Sequence, residues 1–168
     1  MRMKPLSPAR RAVGGMALIA VLVAAGCSST AASDAPPASS VAPSTGVVRT
    51  MLAHAVPANA PGQELYLQEV TIAAGAKLSR HLHEGTQVAS VRSGTLTYNI
   101  VSGTAVVTRA DGTVQSAEGP TVIELGPGDA ITETATLVHF GANNGKVPVV
   151  ILLAALLTEG APVATPHS

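Results

Sequence analysis

Two of the five histidines, His81 and His83, stand one residue apart in a stretch that reads as extended chain. Alternate residues of a strand project from one face, so their imidazoles lie side by side. At that spacing they can share one cation, provided the face is turned into a cavity. Gln87 has the parity of His83, and its amide oxygen joins that face if the strand continues across Gly85. His139, far along the chain in another β-like run, can close the set from a neighbouring strand. Three imidazoles and one oxygen donor suit a divalent transition metal (Fe, Mn, Ni, Cu or Zn) and leave room for water or a substrate. On a surface strand the same His-x-His pair would serve solubility only, so the reading depends on the elements that position it. His54 and His167 have no such partners and read as a strand residue and a tail residue.

Those elements are short β-branched runs, separated by turn residues about every 8–12 positions. The expected strands are 47–56, 64–72, 77–83, 86–92, 95–101, 104–109, 114–115, 121–125, 130–134, 137–140 and 147–157. Ser102-Gly103, Asp111-Gly112, Pro127-Gly128-Asp129 and Asn144-Gly145 supply the turns. Many strands without an intervening amphipathic helix imply an all-β sandwich or barrel. The apolar run Val147–Leu157 could be a buried helix, but its β-branched start and Pro148 favour a core strand. The domain so defined covers 46–158, and 159–168, with Pro162 and Pro166, is expected to be a loose tail.

The spacing of the candidate ligands is also that of a known family. The segment Gly75-x5-His81-x-His83-x3-Gln87-x6-Gly94 resembles the first cupin motif, G-x5-H-x-H-x3-4-E-x6-G. The segment Gly128-x5-Thr134-x-Thr136-x2-His139-x3-Asn143 resembles the second, G-x5-P-x-G-x2-H-x3-N. The resemblance covers nearly all of 46–158. It implies a double-stranded β-helix, or jelly-roll barrel, with a metal in its mouth held by His81, His83, Gln87 and His139. It also makes a homodimer through edge strands an expectation. Gln87 stands where the family has a carboxylate, which leaves the ligand set one negative charge short. Glu84 is close in sequence, yet strand parity turns it away unless Gly85 kinks the chain. Thr134 and Thr136 replace the family proline and glycine without altering the spacing to His139.

The net charge of zero hides an asymmetry, because Arg2, Lys4, Arg10 and Arg11 lie in the first eleven positions. The remainder carries six basic against ten acidic residues, a charge of about −4 with no clustered Lys/Arg, which excludes a nucleic-acid binder. After the basic residues comes an uncharged apolar run of 14 residues, Ala12–Ala25. It is shorter than the ~20 residues that span a bilayer and reads as a signal-peptide core. Cys27, the only cysteine, follows at once in Val23-Ala24-Ala25-Gly26-Cys27. This resembles a bacterial lipoprotein signal, which implies lipid attachment (palmitate among the chains) at Cys27 and a leader spanning 1–26. Residues 27–45 are Ser, Ala, Thr, Pro and little else, with one charge, Asp34, and read as a flexible tether. The expected location is the extracytoplasmic face of a bacterial membrane.

Such a metal site can act as a Lewis acid, activate water or bind dioxygen. One reading is a dioxygenase-like or isomerase-like enzyme on a small-molecule substrate. The other is a tethered module that holds a metal or small molecule without turning it over. A metal-free jelly roll with hydrogen-bonded histidines is a third. Glu69, Glu124 and Glu133 are scattered and read as solvated strand positions, and Tyr98 and Phe140 as core aromatics.

Overall fold

The computed structural model describes residues 44–168. The expected leader, Cys27 and nearly all of the tether lie outside the described residues. Among the described residues there are twelve strands and no helix. In chain order these are β1 (Val47–Ala55), β2 (Gln63–Ile72), β3 (His81–Leu82), β4 (Gly85–Ser93), β5 (Leu96–Ser102) and β6 (Thr104–Thr108). They continue as β7 (Val114–Glu118), β8 (Thr121–Leu125), β9 (Ala130–Glu133), β10 (Val138–Ala142), β11 (Val149–Thr158) and β12 (Thr165–Pro166).

The strands form two sheets, one ordered β1-β2-β11-β4-β9-β6-β7 and the other β12-β3-β10-β5-β8. All pairings are antiparallel. From β3 to β12 the chain alternates between the sheets at nearly every step, the β6–β7 hairpin being the exception. That winding is a double-stranded β-helix, so the fold is an all-β jelly roll. Alternation of apolar residues puts one face of each strand into the space between the sheets. Tyr66, Val70 and Ile72 of β2, Ile151, Leu153, Ala155 and Leu157 of β11, and Tyr98 and Ile100 of β5 form its core. The run that could have been a buried helix is β11, a central strand paired with β2 and β4.

Two positions depart from the sequence reading. The run 77–83 is not one strand: Lys77 makes an isolated bridge to Ala142, and regular pairing is confined to His81 and Leu82. The tail is not loose. Thr165–Pro166 pairs with β3, and Val163 and Ala164 are buried. The apolar pair in Ala161-Pro162-Val163-Ala164 has core to cover, and its burial offsets the entropy of ordering the segment.

Two glycines show why the sequence folds this way around the site. Gly85 opens β4, where an added Cβ would lie 2.2 Å from the carbonyl oxygen of Leu156 on β11. Gly94 turns β4 into β5 with φ +73°, and its Cβ would meet the Pro148 carbonyl oxygen at 2.7 Å. Asn143, 1 % exposed, donates to the Ile72 and Val147 carbonyls and accepts from the Gly145 amide. The motif asparagine therefore ties the end of β10 to β2 and to the approach of β11.

Candidate metal centre

The site lies between the two sheets, and each contributes one side of it. His81 of β3 is paired directly with His139 of β10, so their side chains share a face. His83 follows β3 by one residue. In the facing sheet Gln87 of β4 is paired directly with Glu133 of β9. His83 and Gln87 thus meet because the chain crosses from one sheet to the other at Gly85, and not because one strand runs through both. Glu84 is exposed and does not line the cavity, which removes its carboxylate from the set of oxygen donors. At Val138/His139 the β10–β5 register slips, the kind of irregularity that re-aims a side chain beside a site.

His81, His83 and His139 are all buried, and one potential ligand atom of each lies within 4.8 Å of the others. The second ring nitrogen of each is engaged by a backbone carbonyl. His81 Nδ1 lies 2.7 Å from the Ser79 oxygen, His83 Nδ1 is 2.5 Å from that of Val163, and His139 Nδ1 is 3.4 Å from that of Leu137. A carbonyl can only accept, so each contact places a proton on Nδ1 and leaves Nε2 as the nitrogen that can ligate. This is how outer contacts commonly fix histidines as metal ligands.

Glu133 is the residue that sequence reasoning placed wrongly. It is 2 % exposed, not solvated. Its Oε2 lies 3.3 Å from His83 Nε2 and its Oε1 3.4 Å from His139 Nε2. Gln87 Nε2 donates to Oε2 and Tyr98 Oη donates to Oε1, each at 2.7 Å. Parity could have revealed it, because Glu133 shares its strand face with buried Ile131. A carboxylate, absent at Gln87, thus stands at the paired position on the neighbouring strand. Glu69 and Glu124 are exposed as expected. Tyr98 lines the cavity and stacks on His139 with ring centroids 5.1 Å apart, whereas Lys77 sits over the Phe140 ring, which is not part of the cavity lining.

Protonation follows from this arrangement. Burial, with the charges of His139 and His83, lowers the pKa of His81 to about 3, against the opposing Ser79 carbonyl and Glu133. Burial likewise lowers His139, despite the pull of Glu133. Burial also disfavours the charged form of His83, but the Glu133 carboxylate 3.3 Å from its Nε2 outweighs this and the pKa is raised. Glu133 is penalised by burial, yet His139, His83 and Tyr98 together hold it well below the usual carboxylate range. Burial, then the Glu133 charge, pushes Tyr98 well above its ordinary value. The centre thus offers two neutral imidazoles, an ionised carboxylate and a phenol that keeps its proton.

Two buried atoms here lack a hydrogen-bond partner, Nε2 of His83 and Oε1 of Gln87. A buried polar atom without a partner costs about 1–3 kcal/mol unless something satisfies it. A divalent cation among the three Nε2 atoms would engage these lone pairs, so the donor set fits a metal. The cavity they face has a volume of about 60 Å³. At about 10–15 Å³ per water, that is room for roughly four to six waters.

Fold and donor set together define a jelly roll with a three-histidine centre. Similar folds among solved structures include cupin superfamily proteins. A cupin 2 domain-containing protein from Halorhodospira halophila shares 16% identity, with 73% of this chain and 71% of that one covered and a TM-score of 0.49. A cupin superfamily protein from Desulfitobacterium hafniense shares 21%, covering 69% and 82%, with a TM-score of 0.40. An oxalate oxidase in complex with the substrate analogue glycolate shares 20% over 71% of this chain and 54% of its own, with a TM-score of 0.47. This chain thus spans about half the length of the oxalate oxidase. No protein-family model matches the chain, and no curated protein sequence matches it.

Proposed function

We propose that this protein binds one divalent transition metal through Nε2 of His81, His83 and His139, with Gln87 and Glu133 as the oxygen donors beside it. The observation that carries the reading is the set of three Nδ1–carbonyl contacts, which leaves Nε2 of each buried ring as the nitrogen that can ligate. A bound metal would supply Lewis acidity to a small molecule in the cavity. Glu133 and Tyr98 favour a catalytic role over simple retention of the metal. An ionised carboxylate held 2.7 Å from a phenol can accept a hydrogen bond from a bound molecule and orient it at the centre, while the phenol keeps the carboxylate in place. The reaction class is dioxygenase-like or isomerase-like, on a small molecule.

We place the domain on a lipid anchor at Cys27, on the extracytoplasmic face of a bacterial membrane, because the lone cysteine directly follows an apolar run of signal-peptide length. The functional test is turnover by the full chain reconstituted with each candidate metal, read as oxygen uptake and as interconversion of small acids. Turnover that His81→Ala and His139→Ala both abolish supports the enzyme. Metal binding without turnover on any tested substrate leaves the tethered metal-binding module.

A further inference from the structure

The cavity has a second polar pole that the metal centre does not use. On β1, residues Val47, Arg49 and Met51 alternate toward the interior, and Val47 and Met51 pack against the core. Arg49 stands between them and lines the same cavity as the histidines. Its guanidinium makes no ion pair and no hydrogen bond among the described residues. Arg49 is half-buried, and a guanidinium at a cavity wall with no carboxylate beside it is open to an anionic ligand. Glu133 lines the cavity too, but its ion-pair contacts go to His83 and His139. Beside Arg49, on β2, Gln68 is 4 % exposed and also lines the cavity. Its Nε2 reaches only the Met51 sulfur, at 3.9 Å, and its Oε1 is buried with no partner.

We propose that Arg49 and Gln68 form the recognition end of the site and select a small monocarboxylate. The carboxylate takes the Arg49 guanidinium in a bidentate pair, and a hydroxyl or N–H on the neighbouring carbon donates to Gln68 Oε1. The rest of the molecule then points at the histidine centre. This rests on the reading of the histidine cavity as a ligand site, and it narrows the ligand. The volume admits a molecule of only a few heavy atoms, and the Glu133 carboxylate in the same cavity disfavours a second negative charge on it.

The test uses the full chain, metal-loaded and metal-free, titrated by NMR with lactate, its neutral amide lactamide, propionate and inorganic phosphate. Lactate should bind at least about tenfold tighter than lactamide, the loss expected when a charged hydrogen-bonding partner is removed. Arg49→Met keeps the side chain's apolar stem and should lower lactate affinity at least about tenfold, leave lactamide binding unchanged and keep the wild-type metal content. Arg49→Lys should recover part of the loss. Gln68→Leu should erase the preference for lactate over propionate. Equal binding of lactate and lactamide, lactate binding unaffected by Arg49→Met, a preference for phosphate, or no lactate binding to folded protein would each overturn the proposal. Metal content is read separately. A chain that takes up no metal but binds lactate in an Arg49-dependent way refutes the metal centre and keeps the carboxylate pole.

Discussion

Deleting residues 161–168 should weaken both the fold and the metal centre, because this segment covers core and supplies one of the carbonyls that orient the histidines. Val163 and Ala164 are buried, and the Val163 carbonyl accepts from His83 Nδ1. Burying a valine side chain contributes about 1.5–3 kcal/mol and the alanine methyl about 0.8. The hydrogen bond adds about 1 kcal/mol. Compact unfolded chains already bury part of this area, so the net loss should be about 3 kcal/mol. For a domain of this size that lowers Tm by roughly 10 °C. Freed from its carbonyl, the His83 ring loses its fixed tautomer, which should cost about 10–100-fold in metal affinity. Calorimetric melting and a chelator-competition titration measure the two effects. Val163→Ala separates them, since it removes apolar area and keeps the carbonyl: Tm should fall and metal affinity should hold. A truncated chain that melts within about 2 °C of the intact one and binds metal equally well would refute the reasoning.

Further outcomes follow from the same geometry. Glu133→Gln removes the carboxylate that faces two Nε2 atoms and should lower metal affinity about a hundredfold by chelator competition, more than Gln87→Leu does. Asn143→Ala loses three hydrogen bonds, one buried and two partly buried, and should cost about 3 kcal/mol in urea denaturation without changing metal content. The metal-free chain should lose stability below about pH 6. His81 is held to about pKa 3 in the folded state, so its contribution is present above the ordinary value of 6.5 and is lost as pH falls toward 3. The expected slope from His81 is about 1.4 kcal/mol per pH unit, and His81→Gln should flatten the profile by that amount. His83 runs the other way, its contribution being lost only as pH rises through its raised pKa, so it does not mask the acid limb. Cys27→Ser should move the protein from the membrane fraction to the soluble fraction.

Much of the fold was legible because strands carry a period of two and turns carry specific residues. Gly94 and Gly128 fall at positive-φ turns, and the strand spans agree with the structure to within a few residues over most of the domain. The histidines were legible for the same reason, since parity alone puts His81 and His83 on one face. What the sequence hid was the partition of strands between sheets. The runs 77–83 and 86–92 would share a face only if one strand continued across Gly85, whereas they belong to two sheets, and only that crossing brings Gln87 opposite Glu133. Glu133 was missed because a glutamate in a strand is usually solvated, and the face shared with Ile131 outweighed that prior. Arg49 is the same lesson on β1, where alternation with Val47 and Met51 turns a charge inward. The tail was misread because Pro162 and Pro166 suggest loose chain, yet a short segment with one valine can pack where the core is open.

The central claim is that the three Nε2 atoms hold a metal, and its most direct test is metal content. The full chain, purified without chelators, should carry about one equivalent of a single divalent transition metal by mass spectrometry. A His81→Ala/His83→Ala double variant with an unchanged far-UV circular dichroism spectrum should carry none. A folded wild-type chain without metal, even after incubation with Fe(II), Mn, Ni, Cu and Zn in turn, would contradict the account and leave a histidine cluster held by hydrogen bonds alone.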